Sequence, residues 1–263
     1  MKDSEQQLAA RRLVYLRDLF FGLISRDFKL RYKRSLLGIA WSLLVPLAQL
    51  LILYFVFSVV LPIQIPHYLT FLFIGLLPWS WFQSALLASS GAVLENRELV
   101  KHVGFPVAIL PVVTVTSQFI HFLLALPVLI VFLLIDGYVP TSAVLMLPVI
   151  MLLQFILLLG IGYFVAAIQV TFYDTQYLLG IILLLFFYLT PVFYDARNVP
   201  EKYQMIYRLN PMAHIIGAYR SILVQQEWPD FASLSVLGLI SALLFSLNYM
   251  FFMRAHHRFV EEL

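Results

Sequence analysis

The chain has 263 residues, 62% of them hydrophobic and 12% charged, with a formal net charge of +3. A water-soluble domain is closer to one quarter charged, so this composition excludes an ordinary soluble core and makes the bilayer the expected solvent. The small net charge gives no reason to expect nucleic acid, and the absence of cysteine removes disulfides and thiolate metal sites.

In chain order, the first predicted element is a helix over residues 11–29. Leu13, Leu16, Phe20 and Leu23 recur at three- and four-residue steps. Arg12, Arg17, Arg26 and Lys29 supply cationic anchors, so the pattern predicts an amphipathic helix in the membrane interface. A solvated helix of a small domain is the alternative. A basic knot of Arg31, Lys33 and Arg34 then heads a long uncharged run punctuated by Ser35, Gly38, Trp41 and Pro46. That run starts only after Arg34 and is too long for a signal peptide core, so no cleavable signal is expected.

Charges mark the ends of the spans. No Asp, Glu, Lys or Arg lies between Arg34 and Glu95, Lys101 and Asp136, Asp136 and Asp174, Asp174 and Asp195, or Asp230 and Arg254. A bilayer takes about 20 apolar residues in a helix. The intervals therefore predict six spans: 36–61, 68–92, 107–135, 143–171, 177–193 and 231–253, with Pro62 and Pro66 dividing the first interval. Continuous apolar runs fit helices, whose backbone groups pair internally, and not the alternation of a membrane β-barrel. The expected fold is an all-α integral membrane protein: an interface helix in 1–35, one six-span unit over 36–253, and a cytoplasmic tail over 254–263.

Orientation follows from Lys and Arg. With both termini in the cytoplasm, thirteen of the seventeen lie inside and four, Arg197, Lys202, Arg208 and Arg220, lie outside. The short loop after the second span would then be cytoplasmic. Residues 95–102 have the length of about two helical turns, ended by Gly104 and Pro106. Such a helix can act as a lever into a partner, or it can be a plain solvated connector. Residues 195–230 form the longest segment outside the spans. Asn210-Pro211 is an N-cap followed by proline at the first helical position. Met212, Ile215, Ile216, Tyr219, Ile222 and Leu223 continue as an apolar stripe. A helix over 211–225 would be about 22 Å long, shorter than the hydrocarbon core, and is expected to dip into the membrane and return or to lie on its outer surface.

No phosphate-binding loop, nucleophile elbow, zinc motif or dinucleotide fingerprint occurs. His121 is the one histidine inside a predicted span: a functional candidate, or a polar contact between helices. The spans carry no ion-coupling charge, so if the chain transports something, the energy is expected from another subunit.

Several ordered pieces resemble the permease of type-2 ABC transporters, in the branch that exports O-antigen, capsule and teichoic acid. They are Arg31-Tyr32-Lys33 through Ser35, Leu37-Gly38, Trp41 and Pro46; Gly75-Leu76-Leu77-Pro78-Trp79 with Phe82; and Asn96, Leu99, Lys101, Phe105-Pro106 and Leu110-Pro111. Phe172 and Asp174, Pro191-Val192-Phe193-Tyr194, Asn210-Pro211 and Arg220 complete the order. Tyr173 stands where the family often has arginine, which departs from the pattern.

The resemblance implies a transport subunit and not an enzyme. It implies a homodimer in a bacterial inner membrane, two separate ATPase subunits that bind ATP and magnesium, and a polyprenyl-diphosphate-linked glycan as substrate. No cofactor or metal is expected in this chain. Residues 94–104 become the coupling helix, with Glu95, Asn96, Arg97, Glu98, Lys101 and His102 facing the ATPase. The 195–230 segment becomes a re-entrant outer hairpin. Arg26, Lys29, Arg31, Lys33 and Arg34 become candidates for the diphosphate head group or for anionic lipid. Trp41, Phe71, Trp79, Trp81, Phe82, Phe186 and Tyr188 become candidate channel or gate aromatics, since ring faces suit sugar C–H faces; packing and interfacial anchoring are the alternative for each. A small-molecule permease of the same architecture, or a membrane enzyme of glycan or lipid metabolism, remain open.

Overall fold

The computed structural model describes residues 2–33, 35, 37–61 and 63–262, the side chains of 2–10, 39, 260 and 261 excepted. Arg34, Leu36 and Pro62, which carry part of the basic knot, the predicted start of the first span and its predicted break, lie outside the described residues.

Ten α-helices make up the described chain: α1 Lys2–Tyr32, α2 Trp41–Tyr54, α3 Tyr68–Gly91, α4 Arg97–Val100, α5 Ile109–Ile135, α6 Leu147–Thr171, α7 Thr175–Leu189, α8 Gln204–Leu209, α9 Pro211–Arg220 and α10 Phe231–Glu262. Short 3₁₀ and π-helical turns extend several of them, and no strand occurs among the described residues. Among the described residues, five segments are long and apolar enough to cross a membrane: Trp41–Val60, Tyr68–Gly91, Ile109–Ile135, Ser142–Thr171 and Phe231–Phe259. The interval read as a sixth span, 177–193, holds the 15-residue α7 and then leaves the helix at Thr190.

Helix α3 is the axis of the bundle. In its best 18-residue window 72% of residues are buried, against 11% for Trp41–Val60 and 17% for Phe231–Phe259. A helix apolar on every side has no face to give to solvent and fits only the centre. Accordingly α2, α5, α6, α7 and α9 all pack on α3. Its Pro78 carbonyl also accepts from Gln154 Nε2 of α6 at 2.8 Å, which gives a fully buried amide a partner.

Helices α6 and α10 pair closely because Gly160 has no side chain. A Cβ there would sit 2.8 Å from the Phe245 nitrogen and 3.0 Å from its Cα. Those are backbone atoms, so the helices would have to separate. Gly160→Leu is expected to destabilise the fold by about 1–3 kcal/mol, the usual scale of overpacking. Gly180→Leu, at a position with open space, is the control. Thermal midpoints in detergent compare them, and equal midpoints would refute the close approach.

A second apolar cluster closes the end of the bundle that carries the basic knot. Leu23, Val93, Val100, Val107, Tyr163, Phe252 and Phe259 are buried in it. The cluster adds detail to two expected segments. Leu13 of the predicted stripe is 68% exposed, while Leu23 is buried and Leu19, Phe20 and Ile24 pack beside it. Helix α1 therefore rests on protein along the 19–24 face. The tail is helical through Glu262. It continues α10, buries Phe259 against Phe252 with ring centroids 5.3 Å apart, and places the Glu262 carboxylate 2.8 Å from the Thr171 hydroxyl that donates to it.

At the opposite end, Asn210 caps α9 as its Asn-Pro start predicts. Its Oδ1 accepts from the Met212 and Ala213 amides at 2.9 and 3.2 Å, and its Nδ2 donates to Thr190 Oγ1 at 2.9 Å. The helix ends at Arg220, which is buried. Nη1 donates to the Pro191 carbonyl at 2.6 Å and Nη2 to the Val192 carbonyl at 2.7 Å. The guanidinium also stands 3.6 Å above the Phe71 ring of α3. Gly75 makes the junction possible: a Cβ there would meet the Val192 oxygen at 2.6 Å.

Candidate functional site

The loop after α3 forms a compact tongue. A 3₁₀ turn, Leu94–Asn96, leads into the four-residue α4. The expected two-turn helix over 95–102 is thus divided, because Asn96 leaves helical geometry at φ −112°, ψ 23°. Val93, Val100 and Val107 anchor the tongue in the second apolar cluster. Glu95, Arg97, Glu98, Lys101 and His102 are exposed. Arg97 and Glu98 form an exposed ion pair at 3.5 Å. Val103 is fully exposed, at 105% of its reference area. An apolar tip ringed by charges, on a turn held rigidly from below, suits contact with another protein.

Asn96 ties the tongue to α1. Its Nδ2 donates to the Ala92 carbonyl at 2.8 Å, and its Oδ1 accepts from Arg26 Nη2. Motion of the tongue can therefore reach α1 directly. In a cycle of Arg26→Ala and Asn96→Ala, the two losses of thermal stability are expected to be non-additive by about 0.5 kcal/mol or more. Simple additivity would show that the bond carries nothing.

The cations at the end of α1 and just after it border several hollows, and Arg26 borders both the groove and the cavity beside the tongue. Arg26, Lys29 and Lys33 line an outward groove. Arg31, itself exposed, donates to Gln118 Oε1 of α5 at 3.3 Å and stands at the wall of two cavities. One, about 390 Å³, lies beside the tongue and includes Glu95, Asn96 and Gln176. The other, about 650 Å³, lies between α2, α3 and α5 and includes Trp41, Trp81, Gln118 and His121. Ser84, Leu87, Arg31 and Gln118 border both. His121 meets Tyr32 Oη at 3.2 Å through Nδ1 and packs at a tilt against Phe28 with centroids 4.8 Å apart. It is a contact that docks α1 on α5, and it also lines the larger cavity.

The candidate aromatics scatter. Trp41 is half exposed and Tyr188 is exposed. Trp79 and Phe82 are buried in the bundle and surround Phe186, with Trp79–Phe186 centroids 5.9 Å apart. Trp81 stacks on Phe122 at 5.0 Å while reaching the larger cavity. Phe71 is engaged by Arg220. Reading the sequence for charges and rings missed the uncharged polar wall of that cavity, to which Gln49, Gln83 and Gln118 belong. One glutamine in each of three apolar helices was the available signal. Among the described residues, no group of three or more His, Cys, Asp or Glu is placed to hold a metal ion.

A sequence model of the family described as ABC-2 type transporter matches residues 18–224. The chain is 33% identical over 255 residues to an O-antigen export system permease protein of Myxococcus xanthus, covering 96% of this chain and 98% of that one. It is 33% identical over 252 residues to a protein of the same description from Klebsiella pneumoniae, covering 95% and 97%. A polysialic acid transport protein of Escherichia coli is 27% identical over 247 residues, covering 91% and 92%.

Proposed function

The chain belongs to the ABC-2 type transporter family, and from that premise we propose that it is the membrane permease of an ATP-driven exporter of lipid-linked polysaccharide, with O-antigen-like glycan as cargo. The observation that carries this reading is similarity over nearly the whole length to O-antigen export permeases. Identity to the polysialic acid transporter is lower, which favours O-antigen over capsule. Members of this family are transport subunits served by a separate ATPase. ATP and magnesium belong to that partner.

The working unit is two copies of this chain and two ATPases in the bacterial inner membrane, with both termini cytoplasmic. The tongue at 94–104 seats on the ATPase through Glu95, Arg97, Glu98, Lys101, His102 and the Val103 tip, while Asn96 relays its motion to α1 through Arg26. Helix α7 and residues 190–194 together make the sixth crossing. The segment 195–230 is a re-entrant hairpin pinned by Arg220 and Asn210. Arg26, Lys29, Arg31, Lys33 and Arg34 draw the diphosphate of the polyprenyl carrier, or anionic lipid around it, to the cytoplasmic side. The glycan is threaded outward between the two permeases, past rings drawn from Trp41, Phe186 and Tyr188, since Phe71, Trp79, Trp81 and Phe82 are buried within the chain.

Reconstitution tests this directly. The chain and its ATPase, purified together into proteoliposomes, are expected to move a lipid-linked oligosaccharide across the membrane with ATP and not without it. Chemistry on the lipid-linked sugar by the chain alone, with no ATPase bound, would replace the transporter with a membrane enzyme.

A further inference from the structure

The larger cavity collects polar side chains from apolar helices. Helices α2, α3 and α5 hold one glutamine each, Gln49, Gln83 and Gln118, and all three line it. In a membrane segment a side-chain amide turned to hydrocarbon is costly, so three such groups meeting at one hollow mark a polar ligand and not lipid tails. Gln118 and His121 are more than nine-tenths buried, at 4% and 7% exposure. Among the described residues Gln49 and Gln83 have no hydrogen-bond partner, and the buried Trp81 indole N–H has none either. Among the described residues Arg31 supplies the one cation in the lining, and Trp41 and Trp81 supply apolar ring surface. The volume, about 650 Å³, falls in the range of about 300–1,000 Å³ usual for small-ligand sites.

Donor and acceptor chemistry narrows the ligand. A phosphate oxygen only accepts, and Arg31 answers it. Side-chain amides both donate and accept, which a phosphodiester does not use but sugar hydroxyls do. Resting on the exporter reading above, we infer that this cavity, inside a single permease, binds the first phosphate-linked sugar of the lipid-linked glycan. Arg31 holds the phosphate, Gln49 and Gln83 take the sugar hydroxyls, and Gln118 orients Arg31 from behind. The cavity thus reads the lipid end of the cargo before threading, and the tie from Asn96 to Arg26 on α1 links that reading to the tongue.

The test uses the permease–ATPase complex in nanodiscs without nucleotide, with binding followed by native mass spectrometry. The probes are farnesyl diphosphate, its N-acetylglucosamine and galactose conjugates, and phosphatidylglycerol. At least one sugar conjugate is expected to bind about 10-fold tighter than farnesyl diphosphate, the yield of one or two added hydrogen bonds. Gln83→Leu should erase that advantage and leave the sugarless probe unchanged, while Arg31→Gln weakens both. Equal affinity for the sugared and sugarless probes would overturn the assignment, as would displacement of the sugar conjugates by equimolar phosphatidylglycerol. These comparisons need only the wild-type protein, so a variant that fails to fold does not shield the inference. If the complex exports glycan yet binds all probes alike, only the cavity assignment falls; if it exports none, the exporter reading falls.

Discussion

Arg220→Met is expected to lower the thermal midpoint of the detergent-solubilised protein by roughly 10 °C, a loss on the order of 3–5 kcal/mol. The reason is the concentration of partners on one guanidinium. Two short bonds, to the Pro191 and Val192 carbonyls, hold the turn after α7, and the Phe71 ring holds the cation against α3. Bonds from a charged donor contribute about 1.5–3 kcal/mol each, and carbonyls left buried without a donor cost as much again in part. Methionine fills the volume and supplies no donor. Arg220→Lys keeps the charge but not the planar fork, so it should recover less than half of the loss. A methionine variant as stable as the parent would show that the turn at 190–194 is held by Asn210 and apolar packing alone.

Val103→Asp is expected to weaken ATPase association about 30-fold or more while leaving the midpoint of the isolated permease unchanged. A fully exposed side chain contributes within about 0.5 kcal/mol to the fold. Burying a carboxylate in an interface that had taken an apolar tip costs about 2 kcal/mol, which is the stated factor. The measurement is ATPase affinity by surface capture, read beside a melting curve of the permease alone. Unchanged affinity would move the ATPase contact away from the tongue. Arg97→Glu, which also ends the Arg97–Glu98 pair, should add to the loss.

Charge gaps located the long helices because a charged residue deep in hydrocarbon is costly wherever it stands in a fold. The cap at Asn210-Pro211 was legible for a similar reason: capping acts within three residues and needs no distant partner. Helix α1 was legible as a helix, but not the face it buries. Leu13 and Leu23 obey the same periodicity, yet only Leu23 meets α5 and the tongue. Gly160 and Gly180 look alike as letters; one touches the α10 backbone and the other touches nothing. Arg220 entered the charge count as an outer cation, although it is a buried fork.

By itself, then, the sequence determined that this is a helical membrane protein, where its long helices run and which family pattern it carries, since solvent partition and local capping act on each segment independently. Tertiary structure alone decided that Gln49, Gln83 and Gln118 share one cavity, that Arg31 borders it while Lys29 and Lys33 line a separate groove, and that Asn96 holds Arg26. Those facts depend on the rotation and depth of each helix against its neighbours. Close-packed surfaces far apart in the chain set both, and no window of sequence contains them.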